Sequence, residues 1–164
     1  MNSTVYIALI IIAAFIGFMA FISWFVRFKK RELRKRLYRE FDELVAQNSL
    51  QIDKRQTLSK NIIGIDRHNM KLAFIDNAQT PSQTQVIDLG DISSCKLVKN
   101  KNRKTGHITN IALQFHFRQK NKPEIIFPVY NEFSDDLYKL MRLSKKATYW
   151  EKTINLFRET KPAA

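Results

Sequence analysis

Hydrophobic positions along this chain follow three different rhythms in turn. From Val5 to Val26 the run VYIALIIIAAFIGFMAFISWFV carries neither charge nor proline. As a helix it would reach roughly 33 Å, enough to cross a hydrocarbon core of about 30 Å. Leu33, Leu37, Phe41 and Leu44 then recur at spacings of four, four and three, the stripe of an amphipathic helix. From Ser49 the period drops to two. Strands are predicted near Leu50 to Lys54, Asn61 to Asp66, Lys71 to Asp76, Gln85 to Leu89, Ile92 to Lys99, His107 to Arg118 and Glu124 to Tyr130. The sixth is the clearest, with Ile111, Leu113, Phe115 and Phe117 alternating against Asn110, Gln114, His116 and Arg118. Turn-forming residues separate the runs: Arg67-His68-Asn69, Asn77 to Ser82, Asn100 to Gly106 and Gln119 to Pro123.

A last helix is predicted from Ser134. Its hydroxyl can cap free amides, Asp135 and Asp136 suit the positive end of a helix dipole, and Phe133 can staple to Tyr138. Leu140, Leu143, Ala147, Trp150, Ile154 and Phe157 form a seam that needs a partner. The expected division is an apolar anchor over residues 1–28, a basic helix over 29–48, an α+β domain over 49–158 and a tail over 159–164.

Charge refines this picture. The chain carries 28 basic and 15 acidic residues, a net +13. Arg27, Lys29, Lys30, Arg31, Arg34, Lys35, Arg36 and Arg39 face only Glu32 and supply about half the excess as a collar beside the apolar run. With no Lys or Arg before Arg27, the positive-inside rule places the N-terminus outside and the main domain in the cytoplasm, as a single-pass protein of the inner membrane. The collar stripe has two readings: a helix drawn to anionic lipid, or a stalk packing on its own domain or a second copy. A collar explains the high charge without nucleic acid. No strand interleaves aromatic with basic residues, so nucleic-acid binding is disfavoured. Cys95 is the only cysteine, which excludes an intramolecular disulfide, and its place in an alternating run predicts a small buried hydrophobe.

Seven short antiparallel strands followed by one amphipathic helix, with the segments Asn61-Ile-Ile-Gly-Ile-Asp66, Lys71-Leu-Ala-Phe-Ile-Asp76 and Val86-Ile-Asp-Leu-Gly-Asp-Ile92, resemble the bacterial branch of the pleckstrin-homology-like domains. The resemblance spans about Ser49 to Phe157. It implies two orthogonal antiparallel sheets forming a partly open seven-stranded barrel or sandwich capped by a C-terminal helix, and a basic surface on the first two strands. Lys54, Arg55 and Lys60 lie in that region, although the second strand opens with Asn61 and Ile62. A second basic group, Lys96, Lys99, Lys101, Arg103 and Lys104, surrounds the turn before Gly106. Both groups are candidate phosphate or lipid contacts.

Catalytic chemistry finds little footing. His68, His107 and His116 have no short-range spacing suited to a metal, and the glycines form no phosphate-cradling loop. Asp66, Asp76, Asp88 and Asp91 flank turns or strand ends, where aspartate serves local hydrogen bonds. The expectation is a non-enzymatic, cofactor-free interaction module. It would touch membrane lipid through its anchor and bind a protein partner or a second copy through its domain. A headgroup-sensing module is the alternative, with nucleic-acid binding third.

Overall fold

The computed structural model describes residues 3–77, 81–119 and 121–160, leaving aside the side chains of residues 3–5, 7–11, 13, 30 and 160. The chain divides into two compact units, Met1–Arg36 and Leu37–Ala164. The element order is α1 (Ser3–Gln47), β1 (Lys54–Leu58), β2 (Asn61–Asp66), β3 (Lys71–Asp76), β4 (Gln83–Asp88), β5 (Ile92–Lys101), β6 (Ile108–Phe117), β7 (Ile125–Asn131) and α2 (Leu140–Thr160). Short 3-10 turns, Leu89–Asp91 and Leu137–Lys139, precede β5 and α2.

In the first unit the helix shows its described side chains to the surroundings, Phe15, Phe18, Phe21 and Trp24 each at least 60% exposed. Among the described residues no helix is long and apolar enough to cross a membrane. Val5 and residues 7–11 and 13 of the expected anchor lie outside those whose side chains are described. The expectation of a single-pass anchor is therefore corrected. The outside N-terminus and the inner-membrane placement fall with it.

The second unit is an α+β domain with two antiparallel sheets, β1-β2-β3-β4 and β5-β6-β7, and a C-terminal helix. No ladder joins the sheets, which corrects the expected barrel. The chain breaks the sheet at Leu89–Asp91, where Asp88 accepts from the Gly90 amide and turns the backbone out of strand geometry. Between the sheets and α2 lies the main core: Ile63, Ile65, Leu72, Phe74 and Ile87 from the first sheet, Leu113, Phe115, Phe127 and Val129 from the second, and Leu143, Ala147, Trp150 and Ile154 from α2. Phe74 stacks on Phe115 and meets Phe127 edge-on. Cys95 is buried in this core as expected.

Strands β2 and β3 are buried on both faces. The intervening residues Ile62, Ala73 and Ile75 point away from the main core and meet Leu37, Phe41 and Leu44 of α1 together with Leu50. Of the two readings of the collar stripe, its second half thus packs on its own domain. Contact is close at Gly64, where an added Cβ would stand 2.6 Å from Phe41 Cζ. The helix ends with Ser49 at φ 49°, Leu50 N–H donating to Val45 O and Ser49 N–H to Ala46 O, a Schellman-type stop.

The first strand lies later than predicted. Leu50 and Ile52 alternate because they pack beneath α1, while the ladder partner of β2 is the more polar Lys54–Leu58. The predicted start of α2 is also displaced. Asp136 makes no side-chain cap, and the helix proper begins at Leu140. Phe133 and Tyr138 are 90% and 76% exposed, so no staple forms.

Candidate functional site

Helix α2 fills the gap between the β1 and β5 edges, and its polar side chains finish both. The Asn155 side chain accepts from Cys95 N–H at 3.0 Å and donates to Cys95 O at 2.8 Å, as a neighbouring strand would. Glu151 accepts from Leu97 N–H at 2.7 Å, and Arg158 donates to Ser93 O. On the other side Lys146 donates to Thr57 O at 3.2 Å, and Trp150 Nε1 donates to Gln56 at 2.9 Å. Burial, followed by the nearby Glu151 charge, pushes the Cys95 thiol up to about 12. It is a packing residue and has no nucleophilic character at neutral pH.

The basic residues of β1 are committed. Lys54 Nζ donates to Tyr149 Oη at 2.8 Å and lies 4.0 Å from that ring's centre, and this hydrogen bond is the main reason the Tyr149 pKa is lowered. Arg55 pairs with Asp42 at 2.6 Å and stacks over Tyr38 at 5.0 Å. Both cations of β1 thus have a partner within the domain. A shallow cleft of about 330 Å³ lies here, lined by Phe41, Asp42, Val45, Ile52, Asp53 and Arg55. Its two carboxylates are already used, Asp42 by Arg55 and Asp53 by the Arg67 amide.

The remaining basic residues behave differently. Lys96, Lys99, Lys101, Arg103 and Lys104 are exposed, and none makes an ion pair among the described residues. In the collar, Lys29 lies 4.9 Å from the Phe25 ring centre, and Arg39 reaches Glu43 at 3.9 Å. The collar falls across both units, with Arg27 to Arg36 in the first and Arg39 in the second.

Strand pairing brings the hairpin cations to one end of the three-stranded sheet. Lys101 is registered with Ile108, and Asn110 with both Asn100 and Asn131. Beyond Asn131 the chain turns through a closely bonded segment. Glu132 N–H donates to Thr109 O and Asp135 N–H to Asn131 O, each at 2.9 Å. Phe133 N–H donates to Asn131 Oδ1 at 2.9 Å, and Ser59 Oγ donates to Asp135. This last bond brings the β1-β2 turn, with the exposed Lys60, to the same end. On that fastened backbone Phe133, Leu137, Tyr138 and Met141 are 90%, 70%, 76% and 74% exposed. Four large apolar side chains within nine residues thus stand beside a basic hairpin. Of the nearby acids, Asp136 is held by Lys139 at 2.7 Å.

These four residues were missed in the sequence because a helix start there gave Phe133 and Tyr138 a partner. The available signal was phase: Tyr138 and Met141 fall off the Leu140-Leu143-Ala147 seam.

His116 and several aspartates serve local structure. His116 is half-buried and pairs with Glu124 at 2.7 Å, so it is less solvated than expected, while His68 is exposed. Asp66 accepts from Gln51 N–H at 2.7 Å and Asn69 N–H at 2.8 Å, and Lys122 holds Asp91 at 3.1 Å. Among the described residues no group of three His, Cys, Asp or Glu side chains is placed to hold a metal.

The class this defines is an α+β domain of two antiparallel sheets with an apolar and basic tip. No family model, curated protein or solved structure matches the chain, so the expected membership of the pleckstrin-homology-like family is not supported.

Proposed function

We propose that this chain is a protein-interaction module without enzymatic activity, and that its recognition surface is the tip carrying Phe133, Leu137, Tyr138 and Met141 beside the basic hairpin. The observation that carries the reading is Phe133, 90% exposed on a backbone held by hydrogen bonds on both sides. An apolar side chain presented by a loose loop can fold back. One presented by a pinned turn stays out, and exposed apolar groups gathered on an ordered element mark interaction surfaces. The partner that fits is an acidic segment with apolar anchors, because the cations Lys60, Lys99, Lys101, Arg103 and Lys104 gather at that end.

The test is fluorescence anisotropy with a labelled acidic peptide bearing Leu and Trp anchors, titrated with the full chain. Phe133→Ser and Met141→Ser should each weaken binding about tenfold, the loss of one anchor of about 1.4 kcal/mol. Neutralising Lys99, Lys101, Arg103 and Lys104 to Gln should weaken it further and flatten its salt dependence. Equal binding by all variants would refute the proposal. Adsorption to anionic vesicles that is lost in the quadruple variant and unchanged by Phe133→Ser would move the surface's role to lipid headgroups.

A further inference from the structure

The two sheets have four edges, and three receive side chains from other elements. On the β1 edge Lys146 donates to Thr57 O and Trp150 to the Gln56 side chain, and the β5 edge is capped by Asn155, Glu151 and Arg158. On β7, Pro128 has no N–H to offer, and its carbonyl accepts from Asn61 Nδ2. The fourth edge is β4, Gln83–Asp88, which pairs only with β3. No hydrogen bond from another described residue reaches the outer backbone of Gln83 to Ile87. The strand also lacks the usual guards. No proline, bulge or lysine lies within it, and residues 77–87 carry no charge in a chain of net +13.

We propose that β4 is a pairing edge through which two copies of this chain join their four-stranded sheets. It concerns a surface separate from the tip and does not depend on the partner proposed there.

Charge selects a second copy as the occupant. Two molecules of net +13 repel over most of their surfaces, and all of β4 except Asp88 lies in the uncharged run 77–87. Symmetry agrees. A two-fold antiparallel pair must place its axis on one residue, because only residues of like parity turn their backbone groups the same way. The central choices are Gln85 and Val86. Centred on Gln85, the pairs are Thr84 with Val86 and Gln83 with Ile87; centred on Val86, they are Gln85 with Ile87 and Thr84 with Asp88. In neither register does Asp88, the strand's one charge, meet its own copy. Gln, Thr and Val side chains suit such a cross-strand contact.

The test is sedimentation velocity of the full-length chain over a range of concentrations, dispersed in a non-ionic detergent because residues 5–26 are apolar. The wild type should pass from monomer to dimer. Thr84→Lys with Gln85→Lys, which restores the charge that guards natural edges, should raise the dimer dissociation constant at least tenfold while leaving the circular dichroism unchanged. Should the pair fail to fold, Thr84→Lys alone, at the more exposed position, carries the same expectation. Amide exchange at Gln83 to Asp88 should slow with concentration in the wild type and not in the variant. A monomer up to about 0.5 mM, or a dimer unmoved by the lysines, would overturn the proposal. So would a dimer abolished by Phe133→Ser, which would place self-association at the tip instead.

Discussion

Gly64 tests how the end of α1 is seated on its sheet. It faces Phe41, a side chain with no exposed surface, and an alanine Cβ would stand 2.6 Å from the ring's Cζ. Ordinary carbon contacts lie at about 3.5 to 4.0 Å, so the ring or the strand must give by about 1 Å. Overpacking of this kind costs about 1 to 3 kcal/mol, set against about 0.5 to 1 kcal/mol gained by replacing glycine within an element. The expected net effect for Gly64→Ala is therefore a loss of up to about 2.5 kcal/mol, centred on about 1 kcal/mol. Shortening the neighbour removes the closest contact and leaves the milder one with Ile52 Cγ2 at 3.2 Å. In a Phe41→Leu background the same substitution should be neutral or stabilising, giving a coupling of at least about 1 kcal/mol between two residues 23 positions apart. Urea unfolding followed by far-ultraviolet circular dichroism, with the slope constant across the four proteins, measures it. An equal cost for Gly64→Ala in both backgrounds would refute the reasoning, because the strand would then resist a side chain for reasons unrelated to the helix.

Two further outcomes test the interior. Replacing Asn155 by Leu removes both bonds to Cys95 and should cost about 1 to 3 kcal/mol; modification of Cys95 by iodoacetamide, slow in the native protein, should accelerate at least tenfold. Native labelling already at the rate of unfolded chain would contradict the burial of that thiol. At Asp66, burial pushes the pKa up, but hydrogen bonds from Asn69, Gln51 and His68 prevail and hold it below the ordinary 3.8. Its carboxylate therefore stabilises the fold above about pH 3.8, and that contribution disappears as pH falls through the lower folded value. Asp66→Asn should be less stable by about 1 to 3 kcal/mol from pH 5 to 7, with the gap closing only below pH 3.8; a gap that stays constant to pH 3 in acid-unfolding curves would exclude this role.

Local patterning carried most of the fold. Alternation located β2, β3, β6 and β7 almost to the residue, and the Leu143, Ala147, Trp150, Ile154 spacing identified the buried face of α2. The departures share one cause, which is that contacts distant in sequence outweighed local rules. Ser134 opens a good capping sequence, but Asp135 is taken by Ser59, 76 residues away, and the helix starts later. Leu50 and Ile52 alternate like a strand, but α1 covers them before a ladder can form. The division into sheets of four and three rests on one short turn at Leu89–Asp91, which local patterning does not separate from an ordinary strand end. At the candidate site the hairpin cations were visible in the sequence. That Lys54 and Arg55 are spent on Tyr149 and Asp42 was not, because those partners come from other elements.

The tip's composition also bounds how it can bind. Fully burying four side chains of this size would contribute about 1.5 to 3 kcal/mol each, and association itself costs about 4 to 15 kcal/mol. The apolar contacts alone therefore leave little surplus, and a useful affinity needs help from the hairpin. Exposed cations add little to the depth of a complex but much to the rate at which an acidic partner arrives and to its orientation. The arrangement observed, apolar anchors fixed by backbone hydrogen bonds and cations left on an exposed hairpin, divides the work accordingly. On the proposed reading, the anchors would set how long a partner stays and the hairpin how often it comes. On that reading the exposed hairpin cations can steer a partner, whereas the field of Arg55 is offset by Asp42 and Lys54 is tethered to the Tyr149 hydroxyl.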